Sequence, residues 1–279
     1  MITVRGAYRI LRAAYTRFDK HDGIAMAGYI AFSSLLAIFP FLIFSAALVG
    51  LLVGPEQNEE AVNALFRVAP EHIAQTLEPV LHEVLVDRGQ GVLTLSILVT
   101  IFLASNAIDA FRVAFDRAYD VTKSRGFLLR RLISLAFVFI GASVAVIMAV
   151  SIIFTPLMFQ LAERWLDMAL PASMGVLIFI LGVSVFVLFL IALHRVLPSR
   201  AMSGRRIWPG VMVSLILWLL GAVAFSIYLS LVPTYAVTYG TLTGVMILAM
   251  FFYLTGVAII FGAEVNAVLK LTNATDKPT

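Results

Sequence analysis

The chain has 279 residues, of which 61% are hydrophobic and only 13% are charged, and its mean hydropathy is +1.00. Soluble domains carry about a quarter charged residues, so this composition excludes a water-soluble globular protein and predicts an all-α integral membrane protein. The chain has no cysteine, which excludes disulfides, thiolate metal sites and thiol nucleophiles.

The first predicted element is a cytoplasmic amphipathic segment, residues 1–23, which mixes basic residues with Asp19 and Asp22. The apolar run that follows, 24–54, is much longer than the roughly 7–15 apolar residues of a signal-peptide core. It therefore predicts an uncleaved first membrane helix. Pro40 removes a backbone donor inside this run, so we expect it to kink the helix.

The next elements are further apolar runs, each compatible with the roughly 20 residues that a membrane-spanning helix needs. Together they predict a six-helix transmembrane domain over 24–270, with spans at about 24–54, 92–115, 130–158, 173–195, 207–231 and 240–266. Between the first two spans, 55–90 predicts a short amphipathic helical cap on the outer side. The polar stretch 271–279 predicts a disordered cytoplasmic tail.

The basic residues fix the expected orientation, because lysine and arginine collect on the cytoplasmic side of membrane proteins. Of the 20 lysines and arginines, only Arg67, Arg88 and Arg164 fall in the loops on the side opposite the N-terminus. We therefore expect both termini in the cytoplasm.

The second span carries a polar stripe. Helical spacing places five side chains on one face, with Asn106 beside them: Ser105, Asp109, Arg112, Asp116 and Asp120. Asp109 and Arg112 are close enough along the helix for a salt bridge. Ionisable groups inside a membrane are costly and are functional candidates by default, whereas an Asp–Arg pair that fastens neighbouring helices is the structural alternative. Asp116 and Asp120 are expected to lie in water.

The last span ends in an acid. No residue from Ile207 to Ala263 carries a formal charge, and Glu264 and Asn266 follow directly. We expect Glu264 to face inward and to pair with a cation or a hydroxyl donor from another helix, since a lipid-facing carboxylate costs about 2.5–3.5 kcal/mol at mid-bilayer. His194 and Arg195, together with Arg130 and Arg131, are expected at the same depth. This layer is either the gate of a carrier or a structural latch.

The segment before the last span is neutral but polar, and it is expected at the outer surface. Its tyrosines, Tyr239 among them, are typical of interface anchors, and the Gly240-x-x-x-Gly244 spacing is typical of close helix packing. The alternative is that this segment lines the outer mouth of a substrate path.

The sequence predicts no enzyme. Its four histidines occur in no H-x-H or H-E-x-x-H pattern, and a zinc centre needs three or four converging ligands. There is also no nucleophile elbow and no Walker loop. We therefore expect no catalytic residue, no metal and no cofactor.

Two quoted stretches resemble a known family. "AGYIAFSSLLAIFPFLIF" (27–44) resembles the first-helix signature of the YihY/BrkB family, and "TYGTLTGVMILAMFFYLTGVAIIFGAEVNAVL" (238–269) resembles its last-helix signature. The resemblance extends through all six spans and the cap. One departure is Phe252 before Tyr253, where the family often has tryptophan. The matching motif residues are Tyr29, Ser33, Pro40, Tyr239, Gly240, Tyr253, Glu264 and Asn266.

The resemblance implies a multi-pass protein of the bacterial inner membrane with six helices. Relatives have been named virulence factors for serum resistance and, by an old misassignment, ribonuclease BN. Transport of a small molecule or a lipid-related compound has been suggested for some, but the family fixes neither a substrate nor a role for the motif residues.

We therefore expect a transporter-like permease or exporter of a small molecule or lipid-related compound, which is not ATP-driven by itself because no ATP-binding motif exists. The alternative is a non-transporting envelope protein that supports lipid or surface-polymer assembly or serum resistance. The expected partners are membrane lipids and such a substrate, without nucleic acid, and a homo-oligomer is compatible with the sequence. The candidates for a substrate path or gate are Asp109, Arg112, Glu264, Asn266, Asn106, Tyr29, Ser33, Tyr239 and Tyr253.

Overall fold

The computed structural model describes residues 4–53, 90–123, 125–141, 172–199, 207–231 and 243–275, together with 143, 144 and 147. These residues form helices without any strand, and this confirms the all-α prediction. The helices are α1 (Val4–Lys20), α2 (Gly23–Val53), α3 (Gln90–Ala118), α4 (127–141), α5 (Ala172–Val196), α6 (Trp208–Leu231) and α7 (Thr243–Thr275).

Three of these helices are long and apolar enough to cross a membrane: Ser173–Val196, Trp208–Leu231 and Thr243–Leu271. A fourth span results if the bent pair of Gly6–Lys20 and Gly23–Ile38 is counted as one. The predicted spans in α3 and α4 do not pass this test within the described residues. The count of six spans stays a prediction.

The described residues and the helix ends can be compared with the predictions for the outer cap, Pro40 and the C-terminal tail. The proposed outer cap and Tyr239 lie outside the described residues. The backbone of α2 is helical through position 40, and the kink at Pro40 stays a prediction. The last helix continues to Thr275, so it extends into the stretch 271–279 that was expected to form a disordered tail.

α7 is the central helix of the described bundle, because it packs against α1, α2, α3 and α6. Small residues permit its closest approaches. A Cβ on Gly262 would overlap the Gly210 carbonyl oxygen and the Ser214 hydroxyl of α6, and a Cβ on Gly210 would overlap the Gly262 carbonyl oxygen. The two backbones are therefore in direct contact, as is common where small residues face each other in membrane helices.

The largest described core involves five helices, with α4 contributing Phe137. It joins the end of α3, the end of α5, the start of α6 and the second half of α7 through Phe115, Leu190, Leu193, Ile207, Val211, Ile259 and Ala263. A neighbouring cluster joins α1 and α2 to α3 and α7 through Phe18, Ala27, Ile30, Ala110, Ala114 and Ile260. Both clusters lie at the Glu264 end of α7.

Two aspartates terminate the helices at this end of the bundle. Asp22 after α1 and Asp120 after α3 both have positive φ, of 55° and 52°. At α3 the amides of Asp120 and Val121 donate to the carbonyls of Arg117 and Asp116 at 3.1 and 2.9 Å, which is the Schellman pattern of helix termination. The turn at Asp22 bends the chain by 66° between α1 and α2.

Candidate functional site

Glu264 is completely buried and contacts two basic side chains of the N-terminal helix region, Arg17 and His21. Its Oε2 accepts a hydrogen bond from Arg17 Nε at 3.1 Å, and its Oε1 lies 2.6 Å from His21 Nδ1. The prediction that this carboxylate faces inward and pairs with a cation from another helix is confirmed. The choice between gate and latch is not decided by this geometry.

The same two side chains reach the end of α3. Arg17 Nη2 donates to the Ala118 carbonyl at 2.9 Å and to Asp120 Oδ2 at 2.7 Å, while His21 Nε2 lies 3.5 Å from Asp120 Oδ1. Burial by itself would lower the pKa of Arg17, but the hydrogen bond to Asp120 and the charge of Glu264 outweigh it, so the pKa is raised. Arg17 therefore stays charged. We call Arg17, His21, Asp120 and Glu264 the Glu264 cluster.

Sequence reasoning missed Arg17 and His21, although α1 carries a signal for the former. The packed face of this helix follows the spacing Ile10, Ala13, Ala14, Arg17 and Phe18. That spacing is the i, i+3, i+4, i+7, i+8 pattern of a core-facing stripe. An arginine inside an apolar stripe must find a buried anion, and Glu264 was the acid still without a partner.

The predicted stripe on α3 forms a second group. Arg112 Nε donates to Asp109 Oδ1 at 2.6 Å, and Arg112 Nη1 donates to Asp116 Oδ2 at 2.7 Å. Asp116 also accepts from the Ser199 amide at 2.7 Å and from the Ser199 hydroxyl at 2.6 Å. The expectation that Asp116 lies in water is wrong, since its side chain is only 13% exposed. Asp120 is 60% exposed. We call Asp109, Arg112, Asp116 and Ser199 the Asp109 cluster.

Asn106 lies one turn before Asp109 and has a separate partner. Its Oδ1 accepts a hydrogen bond from Arg131 Nη1 of α4 at 2.9 Å. The Arg131 guanidinium also lies 4.7 Å from the centre of the Phe102 ring. Asn106 therefore connects α3 to α4 and does not join either cluster.

Asn266 is buried at the crossing of α6 and α7. Its Oδ1 accepts from the Gly210 amide at 2.8 Å, which satisfies one of the amides that the first turn of α6 leaves without a helical partner. Its Nδ2 has no hydrogen-bond partner of good geometry. The buried Tyr119 phenol is its neighbour: burial raises the phenol's pKa, the nearby Asn266 amide opposes that shift, and the charge of Glu264 adds to it.

A further polar contact was not predicted. His194 is completely buried, its Nδ1 lies 2.9 Å from the Leu190 carbonyl oxygen, and its Nε2 lies 3.5 Å from Ser214 Oγ. The Phe115 ring packs against the imidazole at 5.0 Å between centres. His194 was expected at the depth of Glu264 beside Arg195, but its partner on α6 could not be read from the sequence because Ser214 resembles any other small residue of an apolar helix.

A cavity of about 400 Å³ separates the two clusters and opens beside both. Its walls come from the turn after α1 and from the end of α3, with His21, Arg112, Val113, Asp116, Arg117, Asp120, Val121 and Thr122 as lining residues. Both signs of charge therefore line it. Its volume is within the roughly 300–1,000 Å³ typical of small-molecule sites.

The remaining candidates lie apart from this cavity. Tyr29 is 43% exposed on α2, whereas Ser33, one turn later, is buried. Tyr253 packs on the cluster around Phe18 and Ile30. Across the described parts of the chain, no group of three histidine or acidic side chains is placed to hold a metal ion.

The helices and the buried acid–base contacts define the class of protein: an apolar helical bundle that carries its polar groups at one end. The model of the family described as "Virulence factor BrkB" matches residues 14–279. The chain therefore belongs to this family, and it is a membrane protein.

Several relatives match along most of their length. The chain is 31% identical over 265 residues to the ribonuclease-like protein YfkH of Bacillus subtilis (strain 168), covering 93% of this chain and 94% of that protein. It is 25% identical to the UPF0761 membrane protein PSHAa0171 of Pseudoalteromonas translucida (strain TAC 125), covering 90% and 83%. It is 27% identical to a UPF0761 membrane protein of Coxiella burnetii (strain Dugway 5J108-111), covering 91% of each. No solved structure matches the chain.

Proposed function

We propose that this protein is a permease or exporter of a small molecule or lipid-related compound in the bacterial inner membrane, and that the Glu264 cluster is its cytoplasmic gate. The observation that carries the proposal is a fully buried carboxylate held between Arg17 and His21. Both side chains belong to the N-terminal region that bends away from α2 at Asp22. A movement at this bend would expose the carboxylate and open the bundle.

The proposed topology has six spans with both termini in the cytoplasm. It is supported by the concentration of lysine and arginine on one side of the apolar segments. The Glu264 cluster then lies at the cytoplasmic end of the bundle, and the cavity beside it opens toward the cytoplasm. A cavity lined by both signs of charge suits a polar or zwitterionic solute. Transport would use a gradient or a partner, because the chain has no ATP-binding motif.

The test compares metabolites and lipids of cells that lack the protein with those of cells producing it or its Glu264→Gln variant. The substitution keeps the shape of the side chain and removes its charge. We expect the protein to change the level of at least one compound between cells and medium, and we expect the variant at equal abundance to abolish that change. The matched control is Asp19→Asn, which removes an exposed carboxylate from the same helix region and should leave the change intact.

Two results would contradict the gate. If Glu264→Gln lowers thermal stability in detergent and the activity falls only in proportion, the cluster is a latch. If no compound differs between cells with and without the protein, the alternative of a non-transporting envelope protein is favoured. A ribonuclease role is tested separately, and we expect purified protein to leave RNA uncleaved.

A further inference from the structure

α1 has one side that is covered by the rest of the protein. Ala14 and Phe18 are buried against α7 and α2, and Ile10 and Ala13 pack beside them. Arg17 extends from this side to Glu264. The position of α1 is therefore coupled to the Glu264 cluster.

A second side of α1 is apolar and has no cover in the described parts of the chain. Tyr8 and Tyr15 are each 65% exposed, and Leu11 is 43% exposed. Their spacing of i, i+3 and i+7 places them along one line of the helix. Leaving two tyrosines and a leucine in water would forgo the free energy of burying them, so this line fits a partly apolar environment.

A third side carries uncompensated positive charge. Arg9, Arg12 and Lys20 are exposed, and their side chains make no hydrogen bond or ion pair with the described residues. They follow the spacing i, i+3 and i+11, which also keeps them on one side. The only acid on α1 is Asp19, next to Lys20. The helix therefore presents a cationic side next to an exposed apolar side.

The bend between α1 and α2 indicates how α1 is oriented relative to the membrane. α2 is the first predicted membrane helix, and α1 is turned from it by 66°. α1 is therefore nearer to the membrane plane than to the membrane normal. A helix in that plane with aromatic residues beside cationic residues is typical of binding at the lipid headgroup boundary.

We propose that α1 binds anionic phospholipid headgroups of the cytoplasmic leaflet through Arg9, Arg12 and Lys20, with Tyr8, Leu11 and Tyr15 inserted among the lipids. A lipid surface matches both exposed sides of the helix at once, because it offers negative charge next to an apolar layer. Bound lipid would hold α1 against α7 and stabilise the contact between Arg17 and Glu264. The proposal rests on the topology given above but does not require transport.

The experiment uses the full chain in nanodiscs of phosphatidylcholine into which phosphatidylglycerol is titrated. The chain has no cysteine, so Tyr15→Cys can carry one environment-sensitive fluorophore. We expect a blue shift that grows with phosphatidylglycerol and reverses in high salt. Each cation near an anionic surface contributes about a fivefold change in affinity. Arg9→Gln with Arg12→Gln should therefore lower the affinity for the anionic surface about 25-fold and move the midpoint to a higher phosphatidylglycerol fraction.

The matched control is Lys123→Gln, which removes one exposed cation from the loop after α3 and should leave the midpoint unchanged. A blue shift that is complete in phosphatidylcholine alone would overturn the preference for anionic lipid. An equal response in the double variant would overturn the assignment to α1. A response to free inorganic phosphate in place of the lipid would overturn the assignment to a lipid surface. If the double variant does not fold, the lipid and salt dependence of the native side chains still decides the proposal.

Discussion

The two halves of α7 differ in burial although both are strongly apolar. Among residues 243–255 no position is buried, whereas from Gly256 to Val268 all but two positions are buried. Hydropathy does not explain the difference, because neither half carries a charge before Glu264. Lipid is as apolar as leucine, so membrane helices associate through close packing and polar contacts rather than through hydrophobicity.

The buried half has the residues that such association requires. Gly262 permits contact with the α6 backbone, and Gly256 lies against Ala27 of α2. Glu264 and Asn266 add the polar contacts to other elements. The first half instead has large side chains such as Met246 and Met250, both partly exposed. Tight packing at one end and looser packing at the other is the arrangement expected of a bundle closed at the Glu264 end.

The largest expected effect comes from removing the cation that binds Glu264. Arg17→Ala leaves a fully buried carboxylate with His21 as its remaining partner, and breaking a buried ion pair costs about 3–5 kcal/mol. We expect the midpoint of thermal unfolding in detergent to fall accordingly. Adding Glu264→Gln should restore more than half of the loss, because no unpaired buried charge then remains.

The control for this prediction is Arg9→Ala on the exposed side of the same helix, expected to change the free energy of unfolding by less than about 0.5 kcal/mol. If the two alanine variants unfold at the same temperature, the Glu264 cluster does not stabilise the closed end.

A smaller effect is expected from widening the contact between α6 and α7. Gly210→Ala places a methyl group against the Gly262 carbonyl and the Asn266 side chain, and overpacking of this kind costs about 1–3 kcal/mol. The matched variant on the same helix is Gly221→Ala, where a Cβ meets no atom within 4 Å. It should be neutral or stabilise by up to about 1 kcal/mol, since alanine favours a helix over glycine. Equal destabilisation by the two variants would show that the helix contact is no closer at Gly210 than at Gly221.

The smallest effect on the free energy of unfolding is expected in the loosely packed first half of α7. Trp218 Nε1 donates to Thr255 Oγ1 at 3.2 Å and joins α6 to α7 there. Trp218→Phe keeps an aromatic ring beside Phe186 and removes the hydrogen bond, which in membranes contributes about 0.6 kcal/mol on average. Trp208→Phe, at a half-exposed position, serves as the comparison in the same unfolding assay. If Trp218→Phe lowers the free energy of unfolding as much as Arg17→Ala does, the two halves of α7 do not differ in how much their contacts stabilise the protein.

The sequence was sufficient to predict the all-α class and the kind of partner that two carboxylates have. Glu264 pairs with a cation, and Asp109 pairs with Arg112, because a carboxylate in an apolar helix has few other stable arrangements. The identity of the partner of Glu264 was not accessible. The partner's identity depends on the turn at Asp22, where a non-glycine residue adopts positive φ. No local sequence pattern predicts that geometry.

The predicted exposure of Asp116 to water was wrong for a similar reason. Its position near the end of α3 suggested water, but the chain after α5 returns to cover it through Ser199. Such a long-range return is set by the connection between helices and not by the periodicity of α3. The cavity beside both clusters has the same origin, since it forms only where the ends of α1 and α3 meet.

The Glu264 cluster also constrains how the protein is made. Arg17 reaches Asp120 across 103 residues and Glu264 across 247. The nearer carboxylate leaves the ribosome long before the farther one, so Arg17 has an acid available while the middle of the chain is still being synthesised. The cluster as a whole contains parts of the first helix and of the last. It can therefore close only when α7 has been synthesised and inserted, and no shorter product of translation can form it.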